Sequence, residues 1–185
     1  MKGVSLILFL ILVFSLFTFF STSEASTNDS NANDWNNHRV HVAVLYYPWY
    51  QAGNHIGHWS NRTEWNVVDI PVLGYYSTQD LPTLKTQLDW MSDAGIDTIL
   101  VSWWGPNPSY GEDNSTNMLF YAIQTYHPEM RAFVMVEEIL FDDAVNQSMI
   151  DSFYNYLWAH YLTPYASVYM NLDGKPLVTW WEVQI

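Results

Sequence analysis

Ile96-Asp97-Thr98-Ile99-Leu100-Val101-Ser102-Trp103-Trp104 is a run of β-forming residues with no regular alternation of apolar and polar side chains. Ile99, Leu100 and Val101 are consecutive, the pattern of a strand buried on both faces, as in a parallel sheet. Gly95 precedes the run and Gly105-Pro106 ends it. Upstream lies a helix signature. Asp80 is placed to cap it, Pro82 suits its first turn, and Leu81, Leu84, Leu88 and Met91 fall on one face. Downstream, a second helix is predicted over residues 117–126, closed by His127-Pro128. A third strand follows over residues 131–137 (Arg-Ala-Phe-Val-Met-Val-Glu). A third helix over residues 148–161 aligns Ile150, Phe153, Leu157 and Tyr161 along one side. Asp173-Gly174 makes a turn, and Lys175-Pro176 leads into a fourth strand over residues 177–181.

Before all of these comes a first strand, residues 39–46, carrying Val40, Val42, Val44 and Leu45. It runs into Tyr46-Tyr47-Pro48-Trp49-Tyr50, where Pro48 breaks it inside a cluster of four rings. Such an end suits a flat, polar ligand such as a sugar; it equally suits a core strand closed by an aromatic plug. The loop over residues 48–76, with Gly53, Gly57, Pro71 and Gly74, is longer than a βα connection needs, and long loops in compact domains are usually functional.

The pattern is β-α-β-α-β-α-β with parallel strands, so the fold class is α/β. An open doubly wound sheet and a (β/α)8 TIM barrel both fit. No glycine-rich phosphate loop follows the first strand, which argues against a dinucleotide fold. Catalytic groups of barrels collect at the C-terminal strand ends. Here those ends read Tyr46-Tyr47, Ser102-Trp103-Trp104, Glu137-Glu138 and Trp181-Glu182, the aromatics and carboxylates of a polysaccharide-cleaving barrel. A full barrel needs roughly 250 residues. The 185 residues here supply about the first four strands, so residues 39–185 are expected to be the N-terminal half of a barrel.

Net charge is −13, from 6 basic and 19 acidic residues, which leaves no electrostatic footprint for nucleic acid. With no cysteine, disulfides, thiolate catalysis and Cys-ligated zinc are excluded. Aromatics make up 17% of the chain, a content that serves both cores and carbohydrate platforms.

Residues 1–25 read as a signal peptide. Lys2 supplies the positive charge, residues 4–20 are apolar apart from Ser5, Ser15 and Thr18, and Ser23-Glu24-Ala25 offers a cleavage site after Ala25. The alternative is an uncleaved membrane anchor through residues 4–20, the one route by which a membrane becomes a partner. Either way the remainder is expected outside the cytoplasm. Residues 26–38 are polar and low in complexity, a disordered linker. Sequons for N-glycosylation stand at Asn28, Asn61, Asn114 and Asn146.

Several segments together resemble glycoside hydrolase family 99 (GH99). They are Tyr46-Tyr47-Pro48-Trp49-Tyr50, His58-Trp59, Leu73-Gly74-Tyr75-Tyr76-Ser77, residues 91–105 (Met-Ser-Asp-Ala-Gly-Ile-Asp-Thr-Ile-Leu-Val-Ser-Trp-Trp-Gly), and Gly174-Lys175-Pro176-Leu177. The resemblance covers essentially residues 40–182. It implies an endo-acting hydrolase of α-mannosidic bonds on a (β/α)8 barrel, with a retaining mechanism and no metal or other cofactor. In that mechanism the substrate's own 2-hydroxyl attacks through a 1,2-anhydro sugar, assisted by one Glu while a second acts as acid and base. Those two lie three residues apart late in the barrel. No Glu-x-x-Glu occurs in this chain, so the catalytic pair is expected beyond Ile185. The resemblance further places substrate contacts at Tyr46, Tyr47, Trp103 or Trp104, and Glu137; Trp49, Tyr50, His58 and Trp59 are further candidate substrate contacts. Where the family follows that Glu with Pro-Tyr, this chain has Glu138-Ile139.

Taken without the family, Glu137 is the best carboxylate candidate, since apolar surroundings can raise a strand-end carboxyl toward general-acid use; the alternative is a solvated terminus. A Glu137–Glu182 pair is a weaker candidate for two-carboxylate glycoside chemistry. His58 could hydrogen-bond a sugar hydroxyl. The other histidines (His38, His41, His55, His127 and His160) lack the i,i+4 pairing of a helical metal site. Trp158 and Tyr154 are expected to pack against the barrel, and Lys85–Asp89 to be a solvated helix pair. The expected partner is an oligosaccharide or polysaccharide, with the full-length protein a monomer. Two other readings stay open: a non-catalytic carbohydrate-binding fragment or pseudo-enzyme, and a related barrel hydrolase acting on α-glucan.

Overall fold

The computed structural model describes residues 40–51, 59, 70–106, 111–137 and 146–181. In chain order the elements are β1 (Ala43–Tyr46), α1 (Leu81–Asp93), β2 (Thr98–Trp103), α2 (Glu112–Tyr126), β3 (Arg131–Val136), α3 (Gln147–Leu157), a π-helical turn (Trp158–Leu162), β4 (Asn171–Leu172), β5 (Lys175–Pro176) and β6 (Val178–Trp180). Residues 1–25 and 26–38 lie outside the described residues, as do His58, Glu138, Glu182 and the sequons at Asn28 and Asn61. Among the described residues no helix is long and apolar enough to cross a membrane.

The main sheet has the order β1-β2-β3-β6, and every neighbouring pair is parallel. Strand order follows chain order without reversal. Right-handed crossovers then put all three helices on one face. A doubly wound sheet would reverse once and carry helices on both faces. This is therefore one wall of a barrel, four strands long and joined by three crossover helices. Tyr46 lies beside Val101, Val101 beside Val134, and Val134 beside Val178, so one row of side chains crosses all four strands.

Side chains alternate along each strand. Ile99, Val101 and Trp103 of β2, with Ala132, Val134 and Val136 of β3, are fully buried and belong to the core shared with Leu84, Leu88, Leu119 and Phe120 of the helices. The other parity, Leu100, Ser102, Phe133, Met135 and Glu137, lines the opposite face.

α1 forms where local chemistry dictates. The Asp80 carboxylate accepts from Thr83 N at 3.0 Å and from the Thr83 hydroxyl at 2.8 Å, and Pro82 sits in the first turn. Gly95 ends the helix at φ 78°, its N–H reaching Ser92 O at 2.9 Å. α2 begins at Glu112, five residues before the sequence-based boundary. Its first turn is polar because those side chains serve neighbouring segments, while Glu112 and Asp113 also suit the positive end of the helix dipole.

The third helix is not continuous to Tyr161. α3 stops at Leu157 and a wider π turn follows, with Thr163 N donating to Trp158 O at 3.0 Å. The wider turn brings Tyr161 back to the face that buries Phe153 and Leu157. Trp158 and Tyr154 do not pack as expected: they are 62% and 45% exposed, on the outer side of that helix. The Asp173-Gly174 turn closes a separate hairpin, β4 with β5, with φ of 51° and 73° at the two turn residues. β6 begins only after it.

His127, just past α2, joins two helices through charge. Its Nε2 lies 2.9 Å from an Asp89 oxygen on α1, its Nδ1 lies 2.8 Å from Glu129, and Lys85 shares Asp89 at 2.7 Å. Arg131 is the other cation near Glu129. Burial lowers the His127 pKa, but the hydrogen bonds and charges of Asp89 and Glu129 outweigh burial and raise it above its ordinary value. A raised histidine contributes stability below its unfolded pKa and loses it as pH rises through the folded pKa. Wild type is expected to lose about 2–4 °C more in Tm than His127→Gln between about pH 5.5 and 8.5. Parallel Tm-against-pH curves for the two proteins would refute this.

Candidate functional site

At the C-terminal ends of the strands, on the face opposite the helices, Tyr47, Ser102, Trp104 and Glu137 come together. The Ser102 hydroxyl donates a short hydrogen bond to Glu137 Oε1, and Trp104 Nε1 donates to the Ser102 oxygen at 3.1 Å. Glu137 N donates to Trp103 O at 3.1 Å, which fixes the carboxylate at the end of β3 beside the end of β2. Glu137 is 7% exposed. Burial pushes its carboxyl above the ordinary range, and the Ser102 hydrogen bond offsets part of that. The Tyr47 phenol is pushed up by burial and then by the Glu137 charge, which places the two groups within electrostatic reach.

Rings extend from this carboxylate. Trp49 meets Tyr47 edge-on at 4.6 Å and Trp104 edge-on at 5.3 Å. The result is a carboxylate with one oxygen held by Ser102, next to Trp104, Trp49 and the half-open Tyr47. Chemically this offers an acceptor for hydroxyl donors beside apolar ring faces, the combination that polyhydroxylated rings require.

A second ring cluster lies alongside: Tyr50 at 4.4 Å from Trp59, and Trp59 against Tyr75 and Tyr76 at 5.3 and 5.2 Å. Trp59 Nε1 donates to Tyr76 O at 2.8 Å. Both clusters hang on one hub. The buried Thr78 hydroxyl lies 2.9 Å from Pro48 O and 3.0 Å from Tyr50 O, and its N–H donates to Tyr50 O at 2.8 Å. Ser115 on α2 stands 3.2 Å away and sends its own proton to Gly111 O at 2.9 Å. Thr78→Val keeps the shape and removes the donor. It is expected to cost about 1–2 kcal/mol and to loosen the 47–50 segment. An unchanged Tm would refute the hub.

Two residues expected at the site face the other way, because consecutive strand residues point to opposite faces. Tyr46 donates from its hydroxyl to Gln87 Oε1 on α1 at 2.7 Å, and burial drives its pKa upward. Trp103 is fully buried on the helix side, its ring 5.3 Å from Phe153 and 5.9 Å from Tyr156. Of the tryptophan pair it is Trp104 that stands beside Glu137. His58 and Glu182 lie outside the described residues, so a Glu137–Glu182 pair has no described geometry.

Two positions were not singled out as site residues in the sequence. Ser102, read only as part of a strand end, is a polar residue within a largely apolar strand, a signal that was there to find. Asp113 carries its signal only in three dimensions: its carboxylate accepts from Trp103 Nε1 at 2.8 Å, from the Tyr161 hydroxyl at 2.5 Å, and from the Tyr156 hydroxyl at shorter range. It thereby anchors the helix side of the strand end that presents Ser102 and Trp104. Among the described residues no three His, Asp or Glu side chains converge closely enough to hold a metal ion.

No family model and no curated protein matches the chain. Solved structures do. The GH99 endo-α-mannosidase of Bacteroides thetaiotaomicron, in complex with bis-tris-propane, superposes with TM-score 0.57 at 20% identity, over 76% of this chain and 41% of that one. A second structure of the GH99 endo-α-mannosidase from that organism gives TM-score 0.58 at 18% identity, over 76% and 44%. At such identity the likeness is one of fold: four parallel strands with their helices, matching part of a barrel. The chain spans less than half the length of those proteins.

Proposed function

We propose that this chain forms the substrate-binding wall of an exported glycoside hydrolase that cleaves internal α-mannosidic bonds with retention. The observation that carries the reading is the buried Glu137 carboxylate, held by Ser102 and flanked by Trp104, Trp49 and Tyr47. The fold it shares with endo-α-mannosidase structures supports the substrate class. Glu137 accepts hydrogen bonds from sugar hydroxyls, and the Trp49 and Trp104 rings take the apolar faces of the sugar. Assistance to the attacking 2-hydroxyl and the acid–base steps are left to a Glu pair that this sequence does not contain, since no Glu-x-x-Glu is present.

The test is hydrolysis by the full-length protein of a panel of α-mannans, α-mannosidic oligosaccharides and α-glucans, with the anomer of the first product followed by NMR. Internal cleavage of mannan with retention is the expected result. Cleavage of glucan alone would replace the substrate, and binding without hydrolysis would make the protein a carbohydrate-binding pseudo-enzyme.

A further inference from the structure

We propose that Asn146 is an N-glycosylation site and that Asn114 is not, a distinction the two sequons do not carry in sequence. The proposal rests on the export reading and goes beyond it. Asn146 is exposed and caps α3: its Oδ1 accepts from Met149 N at 3.1 Å, with an extended backbone at φ −121° and ψ 162°. The Nδ2 atom, where a glycan attaches, makes no hydrogen bond among the described residues. Gln147 turns its own amide along the helix to Asp151 at 2.8 Å, and Ser148, the sequon hydroxyl, is exposed.

Chemistry and cap are compatible here. The donor is an oligosaccharide linked to a polyprenyl diphosphate. The sugar anomeric carbon forms a bond to Nδ2 as its bond to the diphosphate oxygen breaks, and one amide proton leaves. Oδ1 is untouched and goes on capping the helix.

Asn114 is exposed as well but differs in its amide and in its sequon hydroxyl. It lies in the first turn of α2, and its Nδ2 donates to Gln79 Oε1 at 2.9 Å. Its sequon hydroxyl belongs to Thr116, which is fully buried inside the fold. A glycan on that amide would crowd Gln79, whose own Nε2 reaches Gly111 O and the Ser115 hydroxyl beside the Thr78 hub.

The test expresses the full chain in yeast behind a supplied secretion leader, so that a failure of the chain's own export signal does not enter the result. Protein is recovered from medium and cells by an affinity tag and treated with peptide N-glycosidase in heavy-oxygen water, which marks each formerly glycosylated Asn as a labelled Asp. Label at Asn146 and none at Asn114 is expected. An unlabelled Asn146, or label at Asn114 in the folded protein, overturns the proposal. Asn146→Asp supplies the second measurement: Asp caps as Asn does, so this variant is expected to lose one glycan in gel mobility while the deglycosylated protein keeps its Tm. Unaltered mobility of Asn146→Asp overturns the proposal as well.

Discussion

Glu137→Gln is expected to lower glycan affinity and kcat/KM by about 5–15-fold and, at neutral pH, to raise Tm. The first effect follows from the charge. A carboxylate accepting from a sugar hydroxyl makes a charge-assisted hydrogen bond of about 1.5–3 kcal/mol, and an amide of the same shape keeps only a neutral one. The second follows from burial. Glu137 is almost fully covered, and desolvation raises its carboxyl above the ordinary value despite the Ser102 hydrogen bond. A raised acid binds more protons folded than unfolded, so stability falls as pH rises from its unfolded pKa through its folded pKa. Gln carries no charge to desolvate and still accepts from Ser102. The gain in Tm over wild type should therefore grow with pH and fade in acid. Loss of activity with gain of stability is the signature of a group kept for binding at a structural cost. The kinetics also separate roles. A binding carboxylate gives the loss just stated, with both limbs of the pH–rate profile intact. A general acid would cost about 100–10,000-fold and remove one limb. An affinity for mannan oligosaccharides equal to wild type would remove Glu137 from the site.

How much of this was legible follows from how local each signal is. Asp80, Pro82 and Gly95 set the ends of α1 through contacts within a few residues, so the sequence shows them directly. The continuous apolar runs of β2 and β3 reflect burial on both faces, which needs no knowledge of the neighbours. The site was harder. Grouping Tyr46 with Tyr47 and Trp103 with Trp104 joins residues that point to opposite faces; parity divides each pair and leaves Tyr47 and Trp104 on the Glu137 side. The first turn of α2 looked like loop because Asp113, Ser115 and Thr116 are polar, yet Ser115 and Thr116 are buried and Asp113 is bonded to residues more than 40 positions away. The π turn was equally hidden, since its cause is where Tyr161 must point.

Asp113→Ala is expected to destabilise the fold by about 3–5 kcal/mol, lowering Tm by roughly 10 °C or more for a chain of this size. The carboxylate is a meeting point of three donors, two of them on fully buried side chains, Trp103 and Tyr161. Removing it leaves an indole N–H and the Tyr156 phenol without their acceptor and leaves the Tyr161 phenol only the Asp113 backbone carbonyl at 3.0 Å, in surroundings where burial, followed by the Asp113 charge and hydrogen bond, raises both the Tyr156 and Tyr161 pKa values. Those phenols stay protonated and cannot escape the loss by ionising. Asp113→Asn is expected to be milder, about 1–2 kcal/mol: one oxygen remains to accept, and the Tyr156 hydroxyl can turn to accept from the new amide. Adding Tyr156→Phe to Asp113→Ala should cost little more than Asp113→Ala alone, because the phenol's partner is already gone; a double-mutant cycle reads that coupling. The same bond connects stability to function. Trp103 sits between Ser102 and Trp104, so a ring freed on the helix side shifts the strand end that orients both toward Glu137. Any Asp113→Ala protein that still folds at low temperature should therefore bind glycan more weakly than wild type if the proposed site holds, although Asp113 lies across the sheet from Glu137. Full affinity in a folded Asp113→Ala protein would show that the two faces of β2 are independent.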